Sequence, residues 1–207
     1  MGVPVLILGE TGSGKTYSIK GFDPADVGIF SVEKGRLPFK GDYKVIRNAS
    51  YDKILRALAK PTLKSYVIDD SQYLLVNELF DRAAEAGYGK YTDMAVHFRD
   101  LIHTINHKVP DDVIVYFLHH TEYDTNSGKT KAKTVGKMID QYLTLEGCFD
   151  VVLMAGKEMD GYKFRIHTDG YNTVKSPEGM FDEMAEGDYI PNDLKAVDGA
   201  VRAYWGL

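Results

Sequence analysis

With 207 residues, 44% of them hydrophobic, the chain is long enough for one sizeable α/β core and too short for two comfortable domains. Its net charge of −5 leaves no global basic footprint for a polyanion, so any nucleic-acid contact must come from a local patch. The single cysteine, Cys148, excludes an internal disulfide, and no apolar run approaches membrane-spanning length. With no basic leader and no cleavage signal before the first apolar run, the expectation is a cytoplasmic protein with no membrane partner.

Residues 3–8 read as a buried strand. They lead into Gly9-Glu10-Thr11-Gly12-Ser13-Gly14-Lys15-Thr16, a full match to G-x-x-x-x-G-K-[ST]. The glycines let the backbone turn tightly and approach a phosphate with no Cβ in the way, and the following helix start offers its positive end to an anion. In that pattern Lys15 reaches the β- and γ-phosphates and the Thr16 hydroxyl binds Mg²⁺. The expectation is a nucleoside triphosphate site, with residues 15–20 as a short helix.

Residues 27–32 read as a second strand, ending at Glu33. An acid at the carboxyl end of a strand beside the loop strand lies in the ligand crevice of an open sheet. Glu33 is thus a candidate for activating water, or a solvated loop charge. After a short strand at 43–47, Ser50 is a good N-cap for a helix over 51–60. Residues 65–69 form an apolar strand ending in Asp69 and Asp70. A strand adjacent to the loop strand would deliver Asp69 to the Mg²⁺ shell; Asp70 would polarise the attacking water or cap the next helix.

Residues 72–86 are helical by period, and Gly87-Tyr88-Gly89-Lys90-Tyr91 interrupts them. If exposed, Tyr88, Lys90 and Tyr91 suit a single-strand contact, rings on bases and ammonium on phosphate; otherwise the tyrosines pack on neighbouring helices. The helix over 92–107 carries His103 and His107 at i, i+4, a spacing shared with zinc ligands, but no third ligand is evident. Residues 113–118 form a central strand ending in His119-His120, of which His120 would face the crevice as a γ-phosphate sensor. The stretch 124–137 lacks an apolar period and reads as a flexible loop. Its Lys129, Lys131 and Lys133 form the best local patch for a nucleic-acid backbone; Lys133 or Lys137 would alternatively reach a triphosphate. A short helix at 138–145, a hairpin over 149–168 turning at Asp160-Gly161, and a last helix beginning at 190–193 complete the chain.

The order of parts resembles the phage-encoded RecA-like P-loop ATPases, which include single-strand annealing and recombination proteins. The resemblance rests on GETGSGKT, VIDDSQYL, YFLHHTE, NTVKSPEGMF and IPNDL, and covers almost the whole chain. It implies one RecA-like α/β domain over residues 1–207, with a mostly parallel central sheet flanked by helices and a C-terminal antiparallel hairpin. It implies ATP and Mg²⁺ at Lys15, Thr16 and Asp69, with Glu33 where such enzymes keep their water-activating glutamate. Tyr88-Lys90-Tyr91 and the lysine stretch fall where RecA-like proteins place two DNA-binding loops. Lys175 falls where a filament presents lysines to the next subunit's nucleotide. The implied partners are single-stranded DNA, a single-strand-binding protein and further copies of the chain, in the host cytoplasm. Two other readings keep the nucleotide site: a non-hydrolysing switch that binds DNA or a partner, and a small-molecule kinase, for which the arginines are few and scattered.

Overall fold

The computed structural model describes residues 1–33, 35–140 and 143–207, and, of Lys137 and Met138, the backbone. The strands are β1 (Val3–Gly9), β2 (Val27–Ser31), β3 (Lys44–Arg47), β4 (Ser65–Asp69), β5 (Ile114–Asp124), β6 (Lys129–Ala132), β7 (Val151–Glu158), β8 (Gly161–Arg165) and β9 (Tyr189–Pro191). The helices are α1 (Tyr51–Leu58), α2 (Tyr73–Asp81), α3 (Gly89–Lys108), α4 (Lys137–Asp140) and α5 (Leu194–Trp205), with 3₁₀ turns at Thr16–Gly21 and Leu145–Cys148. Among the described residues the strands form one sheet in the order β3-β2-β4-β5-β1-β7-β8-β9, with β6 paired to β5 off that path.

The pairs from β3 through to β7 are parallel, whereas β5–β6, β7–β8 and β8–β9 are antiparallel. This is an α/β architecture with a mostly parallel sheet and antiparallel strands at its C-terminal end, compatible with a Rossmann-like fold. Alternation along β1 explains why the strand is apolar throughout. Leu6 and Leu8 join Phe30, Ile68, Phe98 and Phe117 on the face covered by α1, α2 and α3. Val5 and Ile7 join Ile19, Ile29, Leu118, Val197 and Val201 on the face covered by α5 and the first 3₁₀ turn. A strand buried on both faces has no position for a polar side chain.

The helix ends follow local chemistry. Ser50 Oγ accepts from Lys53 N at the start of α1, and the Asp193 carboxylate accepts from Lys195 N and Ala196 N at the start of α5. α2 stops at Asp81, earlier than its period suggests, and α3 begins at Gly89, so Lys90 and Tyr91 lie in its first turn. The 138–145 helix expected from sequence is described only as far as Asp140; residues 141 and 142 lie outside the described residues.

Three expectations change. First, β5 lies between β1 and β4, so Asp69 does not come from the strand adjacent to the loop strand, and β2 is three places from β1. Second, the lysine stretch is not a free loop: β5 runs six residues past Leu118 and turns back as β6. Three backbone anchors hold β6, with Ala132 N donating to buried Glu146 Oε1 (2.7 Å), Thr130 N to Tyr171 O (2.8 Å) and Lys133 N to His120 O (2.9 Å). Third, residues 189–191 add β9 before the last helix.

β2 to β5 all lie on one side of β1, and β7 to β9 on the other. The carboxyl end of β1 is therefore a topological switch point, where open α/β sheets form their ligand crevice. At the opposite, amino end of the strands, α5 is clamped by a buried carboxylate. Asp198 accepts from Ser65 Oγ (2.7 Å), Tyr116 Oη (3.1 Å) and Arg202 Nε (2.8 Å).

Candidate functional site

β1 ends at Gly9, and the loop to Thr16 closes over the switch point. Gly14 has φ +92°, and a Cβ there would lie 2.3 Å from Asn192 Nδ2 and 3.0 Å from the Tyr162 ring. Glycine is thus required both by backbone and by space. A Cβ on Gly9 would lie 2.4 Å from Ser13 Oγ. The Lys15 ammonium is buried inside the loop, donating to Gly9 O (2.6 Å) and Glu10 O (2.8 Å). The helix that follows is a six-residue 3₁₀ turn rather than an α-helix.

Thr16 Oγ1 donates to Asp69 Oδ1 at 2.8 Å, across 53 residues of sequence. A hydroxyl and a carboxylate held together at the mouth of a glycine loop are an oxygen pair suited to Mg²⁺. That ion is commonly held by one or two protein groups plus phosphate and water. Among the described residues no three His, Cys, Asp or Glu side chains come together as a metal site. His103 and His107 stack on each other at 3.9 Å instead, His107 Nδ1 bonding His103 O.

Asp70 takes φ +60°, a left-handed conformation unusual outside glycine and found most often in Asn and Asp. That turn ends β4 and presents the buried Asp70 carboxylate to the cleft, where His120 Nε2 lies 3.2 Å from its Oδ1. The adjacent His119 faces the other way. Its Nε2 donates to Lys133 O (2.8 Å), so its Nδ1 accepts from Ser71 Oγ (2.9 Å). Burial pushes the His119 imidazole down to about 4.

That depression has a pH consequence. The unfolded chain binds a proton at His119 below about pH 6.5 and the folded chain only below about pH 4, so the contribution is full above pH 6.5 and lost as pH falls through this window. The loss is on the order of 3 kcal/mol at its limit. Denaturant unfolding at pH 7 and pH 4.5 should show a slope that His119→Gln reduces; an identical slope in the variant would contradict the buried neutral state.

The loop, Tyr17, Pro38, Asp70, His120 and Tyr162 line a cleft of about 330 Å³, within the range of small-molecule sites. No family model matches the chain, and no curated protein does.

The structure brings Lys15, Thr16, Asp69, Asp70 and His120 together. Glu33 is exposed and lines a different cleft, with Asn48, Tyr51 and His97, because β2 is so far from β1 in the sheet. Of the interrupted-helix residues, Tyr88 is exposed, Tyr91 packs against the core, and Lys90 Nζ caps the carbonyls of Arg82 and Glu85. Lys129 and Lys133 are exposed, while Lys131 pairs with Asp140 (2.8 Å) and Glu122 (3.6 Å). The Lys137 side chain lies outside the described residues. Lys175 is exposed, and its backbone pairs with Val152.

Sequence reading misses Tyr17, Tyr162 and Asn192. Asn192 Nδ2 donates to Gly14 O at 3.3 Å from 178 residues away, and nothing local to Ile190-Pro191-Asn192 signals that bond. Tyr162 has a readable cue, since it follows the Asp160-Gly161 turn that aims β8 back toward the loop.

Proposed function

We propose that this chain is a Mg²⁺-dependent ATPase of the RecA-like class that works on single-stranded DNA in phage recombination or annealing. The observation that carries the nucleotide part is the Thr16–Asp69 hydrogen bond at the mouth of the glycine loop, with Asp70 and His120 on the same cleft. The loop and Lys15 would bind the triphosphate as a concave cationic cradle. Thr16 and Asp69 would hold the cation, which when bound neutralises charge developing on the phosphates. Tyr17, Pro38 and Tyr162 offer flat apolar faces for the base. Asp70, oriented by His120, would take the proton of the attacking water.

The DNA part is supported by the β5–β6 hairpin. Lys129 and Tyr123 stand exposed on it, Lys133 just past its end and Tyr171 beside it, the two rings at 65% and 74% of their full accessibility. Across the hairpin Asp124 stands opposite Lys129 and Glu122 opposite Lys131, and the exposed rings and lysines beside them suit the faces and phosphates of an unpaired strand. The double variant Lys129→Glu/Lys133→Glu should weaken binding of an oligo-dT and flatten its salt dependence. The slope of log K against log salt should fall by about 0.7 for each phosphate no longer neutralised. Fluorescence anisotropy across a salt series checks this; unchanged affinity and slope would remove the hairpin from the DNA site. The ATPase proposal as a whole is tested by steady-state turnover with and without single-stranded DNA. A DNA-stimulated rate supports it, and a rate indifferent to DNA overturns the choice of partner while keeping the nucleotide site.

A further inference from the structure

A second cleft, about 830 Å³ in volume, opens at the carboxyl end of β2, between α1, α2 and α3. Its apolar lining comes from Val32, Leu55 and Leu74, and four carboxylates surround it: Glu33, Glu78, Asp81 and Asp100. His97 Nδ1 and Arg82 Nη1 both lie on Glu78 Oε1, at 2.7 and 3.3 Å. The other oxygen, Glu78 Oε2, is buried with no hydrogen-bond partner among the described residues, and so is the Tyr51 hydroxyl on the α1 wall. Lys53, on the same helix as Tyr51, directs its ammonium to the carbonyls of Arg47 and Asn48 instead.

Two buried polar atoms without partners on one cleft are unfavourable unless a bound group satisfies them. Arg99 Nη1 already lies on Asp100 (3.0 Å), and Arg82 and His97 on Glu78, so the call for further positive charge comes from Glu33, Asp81 and the second oxygen of Glu78, yet among the described residues no three acidic, His or Cys side chains converge closely enough to hold a metal ion. Negative charge spread around an apolar lining matches positive charge spread along an aliphatic chain, whose methylenes lie on the apolar surface while its charged ends reach carboxylates. Burial, and then the Glu78 charge, pushes the Tyr51 phenol well up, so its hydroxyl stays neutral and its oxygen can accept an N–H.

We propose that this cleft binds a linear aliphatic polyamine. One ammonium donates to Glu78 Oε2 and the Tyr51 hydroxyl oxygen, the others face Glu33 and Asp81, and the methylenes lie on Val32, Leu55 and Leu74. The site is independent of the nucleotide cleft and stands whether or not the chain hydrolyses ATP.

The test is calorimetric titration of the full chain with spermidine, in the absence of nucleotide. One-to-one saturable binding is expected, with putrescine weaker because it carries fewer charges. Glu78→Gln should weaken spermidine binding by about tenfold or more, as expected for loss of a charge-assisted hydrogen bond. Tyr51→Phe should weaken it by less. Glu33→Gln, at an exposed rim position where folding is not at stake, should weaken it as well, and Asp182→Asn, an exposed acid outside the cleft, should leave it unchanged. Absence of saturable heat overturns the proposal. So does equal affinity in the Glu78, Tyr51 and Glu33 variants, or capture of a lysine-rich peptide by a cleft that ignores spermidine.

Discussion

Replacing Asp70 by Asn is expected to slow ATP hydrolysis by about 10²-fold or more, the usual scale for removing a positioned general base, while nucleotide affinity stays within a few-fold. The expectation follows from where each acid sits. Asp70 is buried on the cleft that the glycine loop lines, and His120 Nε2 lies 3.2 Å from its carboxylate. The Asn amide keeps the shape and the hydrogen bond from His120 but cannot take a proton. Glu33, the alternative base from sequence, is exposed on another cleft, so Glu33→Gln should leave turnover close to wild type. Single-turnover hydrolysis beside equilibrium binding of the same nucleotide separates the two acids. A normal rate in the Asp70 variant, or a collapsed rate in the Glu33 variant, would reverse the assignment.

The second large effect concerns stability. Asp198→Ala should lower the unfolding free energy by about 3–5 kcal/mol, the cost of breaking a buried charge cluster from one side. In a chain of this size that corresponds to a fall in melting temperature on the order of 10 °C. Asp198 is fully buried and accepts from Ser65, Tyr116 and Arg202, joining β4, β5 and α5. Removing it leaves the buried Tyr116 hydroxyl without its acceptor. Burial, the largest of the causes that push that phenol well up, persists in the variant, so the hydroxyl does not ionise to compensate. Arg202 retains the carbonyls of Asp112 and Lys64, so α5 is loosened rather than released. Asp198→Asn keeps an acceptor for Tyr116 and should cost less. Because this cluster lies at the amino ends of the strands, nucleotide affinity at the carboxyl ends should be unchanged. A loss below about 1 kcal/mol would show that the clamp carries little of the fold.

These two sites differ in how far the sequence announces them. The strand–loop unit at residues 3–16, the apolar run ending in Asp69 and the Ser50 cap are local patterns, set by neighbours within a few residues. The partnership of Thr16 with Asp69 depends on strand order, and the β5 insertion between β1 and β4 is not written in any local pattern. The same cause places Glu33 away from the loop: its role as a base requires a strand next to β1, and β2 lies three places away. β6 is hidden in the sequence because Lys129-Thr130-Lys131-Ala132 lacks an apolar alternation. It is held by backbone bonds to Tyr171 and by the Glu146 side chain, which depend on segments distant in sequence. Asn192 on Gly14 is the extreme case, a hydrogen bond between residues 178 apart in the sequence.

The most direct test of the central claim, a Mg²⁺–triphosphate site on the Gly9–Thr16 loop, is equilibrium titration with a fluorescent ATP analogue, with and without Mg²⁺, in wild type and Lys15→Ala. Saturable binding strengthened by Mg²⁺ and weakened at least about tenfold in the variant is the predicted result, the scale of removing one charge-assisted hydrogen bond. Absence of saturable binding in wild type, or equal binding in Lys15→Ala, would contradict it.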